Sequence, residues 1–168
     1  MAAKWESVNV GDELPKYVHE KVTRTDLVKY AGASGDYNPM HHDETLAKAV
    51  GLPSVFAHGM FSMGLLSNVL VAFGGAGSVK RFDVQFRSIT WPDDPVTCTG
   101  KVTAKREEGG QKLVDVELQC ETKPGTKSII GSATLALAVG VALFTVVMRK
   151  PTHHGNARFG NLIDAGRK

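Results

Sequence analysis

The hydrophobic pattern divides the chain into a helical half and a stranded half. Up to Phe73, apolar residues recur at spacings of three and four, which predicts helices; from Val79 onward they alternate with polar residues, which predicts strands. Two short helices are expected before Gly51, the first capped by a threonine at residue 23 or 25 and the second by Asp43. The third helix, after Gly59, is apolar nearly all round, so we expect it to be buried.

The stranded half contains four alternating segments separated by turn sequences: residues 79–89, 96–105, 113–120 and 129–137. A short strand around Tyr17 precedes the helices. Consecutive strands joined by short turns predict an antiparallel meander, one face of which must pack on an apolar partner. The helix after Gly59 is the predicted element that is large and apolar enough to be this partner. The pattern therefore predicts an α+β fold in which an antiparallel sheet wraps around one central helix.

The chain of 168 residues has the length of one domain. Its regular pattern ends near residue 138, so we expect one domain over residues 1–138 and a polar C-terminal tail over residues 139–168. From Ser128 to Met148 no residue is charged, and such a length could cross a bilayer. Glycine and serine dilute this stretch, and its first part also fits a buried strand, so membrane insertion is disfavoured.

Composition and charge exclude several classes of protein. Hydrophobic residues make up 42% and charged residues 22%, which is ordinary for a globular protein, and a net charge of +3 does not predict a nucleic-acid binder. The N-terminus lacks the apolar run of a secretory signal, and Cys98 and Cys120 form no C-x-x-C pair. We therefore expect a cytoplasmic protein with two free thiols on buried strands.

Groups with catalytic potential are concentrated in a glycine-rich stretch, residues 30–60. Asp36, Asn38 and His41 lie within six residues there, and loops held by a rigid scaffold often carry catalytic groups. Pro39 restricts its own backbone and favours an extended Asn38, which allows Asp36 and His41 to face the same space. A carboxylate beside an imidazole provides groups that take and donate a proton near neutral pH.

A glycine begins the predicted buried helix, in the run Ala57-His58-Gly59. Glycine at a helix N-terminus lets a ligand approach the backbone, and its N–H has no partner within the helix. Such an N–H can bind a carbonyl oxygen that gains negative charge. Each residue also has a plainer interpretation, because Asp and Asn are common turn formers and His41, His42 and His58 could be ordinary loop residues.

The order of these residues resembles the hydratase motif of the MaoC-like, R-specific enoyl-thioester hydratases. The matching runs are A-S-G-D-x-N-P-x-H-x-D from Ala33 to Asp43 and A-H-G-M from Ala57 to Met60. The segments W-x-S-V-x-V-G-D-x-L-P and T-R-x-D-L-V-x-Y-A-G look like the beta subunit of the mycobacterial fatty-acid-synthase-II (3R)-hydroxyacyl-thioester dehydratase. The tail after Val139 departs from this pattern.

This resemblance implies a single hotdog fold, with the sheet wrapped around one long helix. It implies the (R)-specific hydration of trans-2-enoyl thioesters, or the reverse dehydration, in fatty-acid metabolism. Asp36 and His41 would hold the reacting water, Asn38 would support them, and the Gly59 N–H would bind the thioester oxygen. The substrate would be carried on coenzyme A or acyl carrier protein. A dimer is implied, with homodimer and heterodimer both open, and neither a cofactor nor a metal is implied.

Two other functions stay open at this point. A hotdog thioesterase also needs a carboxylate and a helix end, although the closeness of Asp36, Asn38 and His41 disfavours it. A non-catalytic partner subunit is disfavoured because the chain keeps both the acid and the histidine. If the chain is a hydratase, Ser62 and Ser67 are candidates to face the acyl tunnel. Arg81 and Arg87 are candidates to meet a phosphate or an acidic group of the carrier, or are simply solvated.

Overall fold

The computed structural model describes residues 2–138. Three single-turn 3-10 helices lie at Trp5–Ser7, Pro39–His41 and Ala76–Ser78. The other elements, in chain order, are strand β1 (Tyr17–His19), helices α1 (Arg24–Ser34), α2 (Glu44–Ala49) and α3 (Gly59–Gly74), and strands β2 (Val79–Phe86), β3 (Val96–Glu108), β4 (Gln111–Lys123) and β5 (Thr126–Ala136).

The strands form one antiparallel sheet in the order β1-β3-β4-β5-β2. Strands β3, β4 and β5 form the predicted meander. The meander prediction is wrong for β2, which pairs with β5 rather than with β3, in a register that runs from Val79–Leu135 to Phe86–Ile129. The reason is the connection after β2, residues 87–95, which is longer than the two to five residues typical of a hairpin loop. Strands β1 and β2 are therefore the two edges of the sheet.

Helix α3 packs across one face of the sheet and contacts all five strands. Leu66, Val69 and Leu70 on this helix are fully buried. They meet inward side chains from every long strand in one hydrophobic core. Burying a side chain of this size stabilises the fold by about 1.5–3 kcal/mol. The predicted α+β architecture, with a sheet wrapped around one central helix, is confirmed.

Several apolar residues that fit the predicted periodicities are exposed rather than buried. Met60 and Val71 on α3 are 55% and 45% exposed, so the expected burial of α3 holds for most of the helix but not for this side. Val28 on α1, Phe86 at the end of β2 and Ile89 after it are also exposed. Periodicity assigns a side chain to one face of its own element, whereas burial depends on whether another element covers that face.

Capping residues begin α1 and α2 where the sequence predicts, and a glycine ends α1. The Thr23 hydroxyl accepts a hydrogen bond from the Asp26 N–H at 3.1 Å, and the Asp26 carboxylate accepts one from the Thr23 N–H at 2.8 Å, which forms a capping box at the start of α1. Gly35, at φ 75°, ends α1 in the left-handed region that favours glycine. Asp43 caps α2 by accepting from the Leu46 N–H at 3.0 Å.

The two thiols are free and buried, as predicted. Cys98 on β3 lies directly opposite Cys120 on β4, and their Sγ atoms are 3.4 Å apart. The hydrogen bond between the thiols, together with burial, raises the pKa of Cys120. Cys120 is therefore held as a neutral thiol inside the core.

The uncharged stretch from Ser128 to Met148 falls into two parts. Its beginning lies in β5, as the strand prediction requires. None of the described helices is long and apolar enough to cross a membrane. The remainder of the stretch and the expected tail, residues 139–168, lie outside the described residues, so the domain boundary at residue 138 stays a prediction.

Candidate active site

The loop between α1 and α2 is shaped by the same polar residues that were predicted to carry chemistry. One carboxylate oxygen of Asp36 accepts from the Asn38 N–H at 3.2 Å, and the Asn38 side-chain oxygen accepts from the Met40 N–H at 3.1 Å. Pro39 then begins a 3-10 helix that ends at His41. The plainer interpretation of Asp36 and Asn38 as turn formers is thus correct, and it holds together with their position beside His41.

His41 is held rigidly at the end of this loop. It is 8% exposed, its Nδ1–H donates to the backbone carbonyl of Phe56 at 2.7 Å, and the Phe56 ring packs edge-on against the imidazole at 4.9 Å. With the Nδ1 proton committed to Phe56, neutral His41 has its free lone pair at Nε2. That nitrogen is the one able to accept a proton from a bound water.

The structure brings Asp36 and His41 together and adds a third group, His58. One polar side-chain atom from each of the three residues lies within 4.8 Å of the other two. Asp36 is exposed, whereas both histidines are buried. A solvent-facing carboxylate therefore meets a buried imidazole at a distance that one water molecule can bridge.

His58 has closer contacts to this pair than the sequence indicated. Its Nε2–H donates to the backbone carbonyl of Asp36 at 3.1 Å, and its ring stacks on that of His41 with centroids 3.7 Å apart and an angle of 29°. Burial lowers the pKa of His58. Its Nδ1 is buried without a hydrogen-bond partner among the described residues, a situation that typically costs about 1–3 kcal/mol. In the sequence, the A-H-G-M run pointed to His58, but it did not indicate that His58 stacks on His41.

The three residues are chemically suited to a divalent metal, but their arrangement fits one poorly. Nitrogen lone pairs lie in the plane of each imidazole ring, and His41 and His58 are stacked, so their lone pairs run side by side instead of converging on one ion. In addition, His41 uses Nδ1 to bond Phe56, and His58 uses Nε2 to bond Asp36. The expectation that no metal takes part stays a prediction.

Gly59 begins α3 directly after this cluster, as predicted. Its N–H has no acceptor among the described residues, and the residue is exposed. Gly59 lines a cavity of about 280 Å³. The cavity walls come from α3, from the segment before α3 and from the region around β2 and β5. The lining residues are Phe56, Ala57, Gly59, Ser62, Phe86, Arg87, Ser88, Ile89, Thr90, Ser128 and Ile129. A free helix N–H therefore faces a space that can hold part of a ligand.

The two candidate serines differ in their surroundings. Ser62 is 2% exposed and lines the cavity, with its hydroxyl 3.4 Å from that of Thr90. Ser67 does not line this cavity, and its hydroxyl donates to the backbone carbonyl of Gly64 at 2.6 Å. Only Ser62 lines this cavity, and the assignment of both serines to an acyl tunnel stays a prediction. The two serines are five residues apart, which places them on different sides of a helix.

A larger groove, of about 990 Å³, lies elsewhere on the molecule. Its walls include polar side chains of four strands, such as Asp83, Thr99, Gln119 and Ser132, and none of the predicted site residues. Because it holds neither a histidine nor a helix N-terminus, its size does not make it the better candidate for catalysis. The smaller cavity is lined by Gly59 and by Phe56, whose backbone carbonyl accepts the hydrogen bond from His41.

The sequence is similar to that of known proteins. The profile of the MaoC like domain matches residues 7–123. The (R)-specific enoyl-CoA hydratase of Rhodospirillum rubrum is 33% identical over 116 residues, which cover 68% of this chain and 78% of that protein. The 3-hydroxyacyl-thioester dehydratase X of Mycobacterium tuberculosis is 37% identical over 67 residues, 39% of this chain and 23% of that protein.

Solved structures share the fold. The unliganded R-hydratase PhaJ1 of Pseudomonas aeruginosa superimposes with a TM-score of 0.73 at 22% identity, over 81% of this chain and 86% of that one. The expected hotdog fold is thereby confirmed. For three of the curated relatives, among them the mycobacterial dehydratase, the chain spans between 6% and 23% of the relative's length.

Proposed function

Since this chain belongs to the family of MaoC-like domains, we propose that it hydrates trans-2-enoyl thioesters to (3R)-3-hydroxyacyl thioesters and catalyses the reverse dehydration in fatty-acid metabolism. One observation carries the proposal. The Asp36 carboxylate and the His41 imidazole approach within 4.8 Å, and the Gly59 N–H at the start of α3 has no acceptor among residues 2–138. The (R)-specific hydratase of Rhodospirillum rubrum, which aligns over 78% of its length, supports the same reaction.

Asp36 and His41 together hold and polarise one water molecule. The water oxygen forms a bond to C3 of the enoyl group, and one water proton passes to the acid–imidazole pair. The electrons of the C2–C3 double bond move toward the thioester carbonyl, and a proton from the pair reaches C2 on the same face. Asn38 contributes by capping the 3-10 helix that ends at His41, which holds the imidazole in place.

The Gly59 N–H binds the thioester oxygen while it carries the charge of the enolate. A donor of this kind typically stabilises the transition state by about 2.7–4 kcal/mol. The helix dipole of α3 adds to this effect, because its positive end lies at Gly59. Ser62 forms part of the cavity wall next to this site.

The carrier of the substrate is anionic, either coenzyme A or the phosphopantetheine arm of acyl carrier protein. Arg87 supports this assignment because it lines the cavity at Gly59 and bonds Gln85, a neutral side chain. Arg81, by contrast, is paired with Asp83 at 2.5 Å and does not line the cavity. Arg87 is therefore the better candidate to meet a phosphate group.

We also propose that the protein acts as a homodimer in the cytoplasm, with a heterodimer as the alternative assembly. Exposed apolar side chains around the site support a partner surface, among them Tyr37 at 64%, Met60 at 55% and Phe86 at 53%. The edge strand β2 also offers unpaired backbone groups. Two free buried thiols agree with a reducing compartment. Light scattering during gel filtration would give the oligomeric state.

The proposal is tested by an absorbance assay of the full chain with crotonyl and longer enoyl thioesters, on coenzyme A and on acyl carrier protein. We expect the absorbance of the conjugated double bond to disappear without release of free thiol, and the product to be the (3R) isomer by chiral chromatography. Release of thiol would identify a thioesterase instead. Failure to hydrate any of these substrates would contradict the proposal.

A further inference from the structure

His58 contacts each of the groups that the proposed reaction needs. Its Nε2–H donates to the Asp36 carbonyl at 3.1 Å, its ring stacks on His41 at 3.7 Å, and it is the residue immediately before Gly59 at the start of α3. The side chain is 2% exposed. Water therefore does not compete for these contacts.

The bond to His58 ties Asp36 to a distant part of the chain. The other hydrogen bonds of Asp36 among the described residues are local, from its N–H to the Ser34 hydroxyl at 3.2 Å and from the Asn38 N–H to its carboxylate at 3.2 Å. His58 lies 22 residues further along. Without this bond, Asp36 itself would lose its hydrogen bond to the start of α3, although His41 and Met40 further along the loop would still bond Phe56.

Packing alone does not account for a histidine at this position. Because Nε2 carries the proton donated to Asp36, neutral His58 keeps a lone pair at Nδ1, and that atom is buried without a partner among the described residues. Native proteins pair nearly all buried polar groups. A phenylalanine would provide a similar ring without an unpaired nitrogen, but it could not donate to the Asp36 carbonyl.

We propose that His58 is a positioning residue, which holds the Asp36 backbone and the His41 ring at a set distance from the Gly59 N–H. The water between the acid and the imidazole, and the thioester oxygen at the helix end, are then bound in the relative geometry that addition at C3 requires. This inference rests on the proposed hydration. It assigns His58 a role in turnover without contact between His58 and the substrate.

Two substitutions separate the two contacts of His58. His58→Phe keeps an aromatic ring that can stack on His41 but removes the N–H, and His58→Gln keeps an N–H donor but removes the ring. We expect His58→Phe to lower kcat roughly 10- to 100-fold, because misplacement of a reacting group by about 1 Å has effects of this size. KM should stay within about twofold, since substrate contacts are unchanged. His58→Gln should recover a large part of the lost kcat.

His42 provides a matched control on the same loop. Its Nε2–H donates to the Tyr37 carbonyl at 3.2 Å, which is the same kind of bond, but His42 is exposed and forms no ring contact with His41. We expect His42→Phe to keep the wild-type kcat and KM. Circular dichroism and thermal melting give the folded fraction of each variant. Each kcat is then expressed per folded molecule.

A second readout does not depend on activity. Imidazole nitrogen NMR spectra of the full chain, labelled at histidine, should show wild-type His58 in the Nε2–H form. They should also show shifted His41 resonances in His58→Phe and unchanged ones in His42→Phe. Unshifted His41 resonances, or a normal kcat per folded molecule in His58→Phe, would overturn the positioning role. If the wild type fails to hydrate while the His41 resonances still respond, the proposed function fails, whereas the contact by which His58 positions the His41 ring is supported.

Discussion

The Phe86 ring lies directly over Gly59: a Cβ atom added at Gly59 would meet ring carbons Cε1 and Cδ1 at 3.0 and 3.1 Å. Phe86 is half-exposed, at the end of edge strand β2. Its ring can therefore move away without a shift of the helix backbone. The start of α3 and the last residue of β2 thus form one wall of the cavity at the candidate oxyanion site.

Gly59→Ala should impair turnover more than stability. Gly59 is the first residue of α3, so alanine gains only part of the roughly 0.8–1.0 kcal/mol by which it is favoured over glycine in a helix interior. The exposed Phe86 ring can move aside, so the melting temperature should change little. The displaced ring should obstruct the thioester and lower kcat/KM by about tenfold or more. Steady-state kinetics and thermal melts give both values. The double variant Gly59→Ala/Phe86→Ala should regain activity, and a double variant as impaired as the single one would show that Phe86 is not the obstruction.

Asp36→Asn and His41→Ala should each reduce crotonyl-thioester hydration by about 10²–10⁴-fold, the usual contribution of a general acid or base. Asn keeps the shape of Asp36 and its bond from Asn38 but cannot take a proton. Circular dichroism should show folded protein in both cases. His42→Ala serves as the control, because it also removes an imidazole from the same loop. Near-normal turnover in either site variant would remove that residue from the mechanism.

Arg87→Gln should raise KM for coenzyme A thioesters severalfold, with the effect shrinking as salt is added, because screening weakens charge attraction at an exposed site. Arg81→Gln is the matched control, since Arg81 lies on the same strand region but is already paired with Asp83. Kinetics at low and high ionic strength test both variants. Equal changes in the two variants would indicate an effect of net charge instead of a phosphate contact.

Cys98→Ser with Cys120→Ser should leave kcat per folded molecule unchanged, because neither thiol reaches the cavity. The pair is fully buried, so two hydroxyl groups there should lower the free energy of unfolding by about 1–3 kcal/mol for each one left unpaired. In the native wild type, a thiol reagent should not react, since burial and the raised pKa of Cys120 keep that thiol protonated. Rapid labelling of the folded protein would contradict this picture.

The depressed pKa of His58 should make the protein less stable in mild acid. Burial lowers this pKa below the usual 6.5, so in a falling pH the unfolded chain takes up a proton before the native protein does. The free energy of unfolding should therefore decrease as pH falls below about 6.5, until the pH passes the native pKa, with no contribution above that window. Urea unfolding at a series of pH values measures how the free energy of unfolding depends on pH. His58→Phe should lose the part of this dependence that His58 contributes, whereas His42→Phe should retain it.

Much of the local structure was accessible from the sequence. Thr23 and Asp43 begin helices and Gly35 ends one, because capping and left-handed glycine conformations depend on residues only a few positions apart. The alternation of apolar residues identified four long strands, and the nearly continuous apolar run after Gly59 identified the buried helix. The motif residues Asp36, Asn38 and His41 were likewise identified as a loop that could carry a carboxylate and an imidazole on one side.

What the sequence by itself determined, then, was the set of helices and strands, the α+β class and the acid–histidine loop next to a glycine that begins a helix. Only the tertiary structure decided that β2 pairs with β5, that Phe86 covers Gly59 and that His58 stacks on His41 while it bonds Asp36. The physical reason is distance along the chain. These contacts join residues that lie 17 or more positions apart. Their formation depends on how helix α3 and the sheet pack, which local periodicity does not encode.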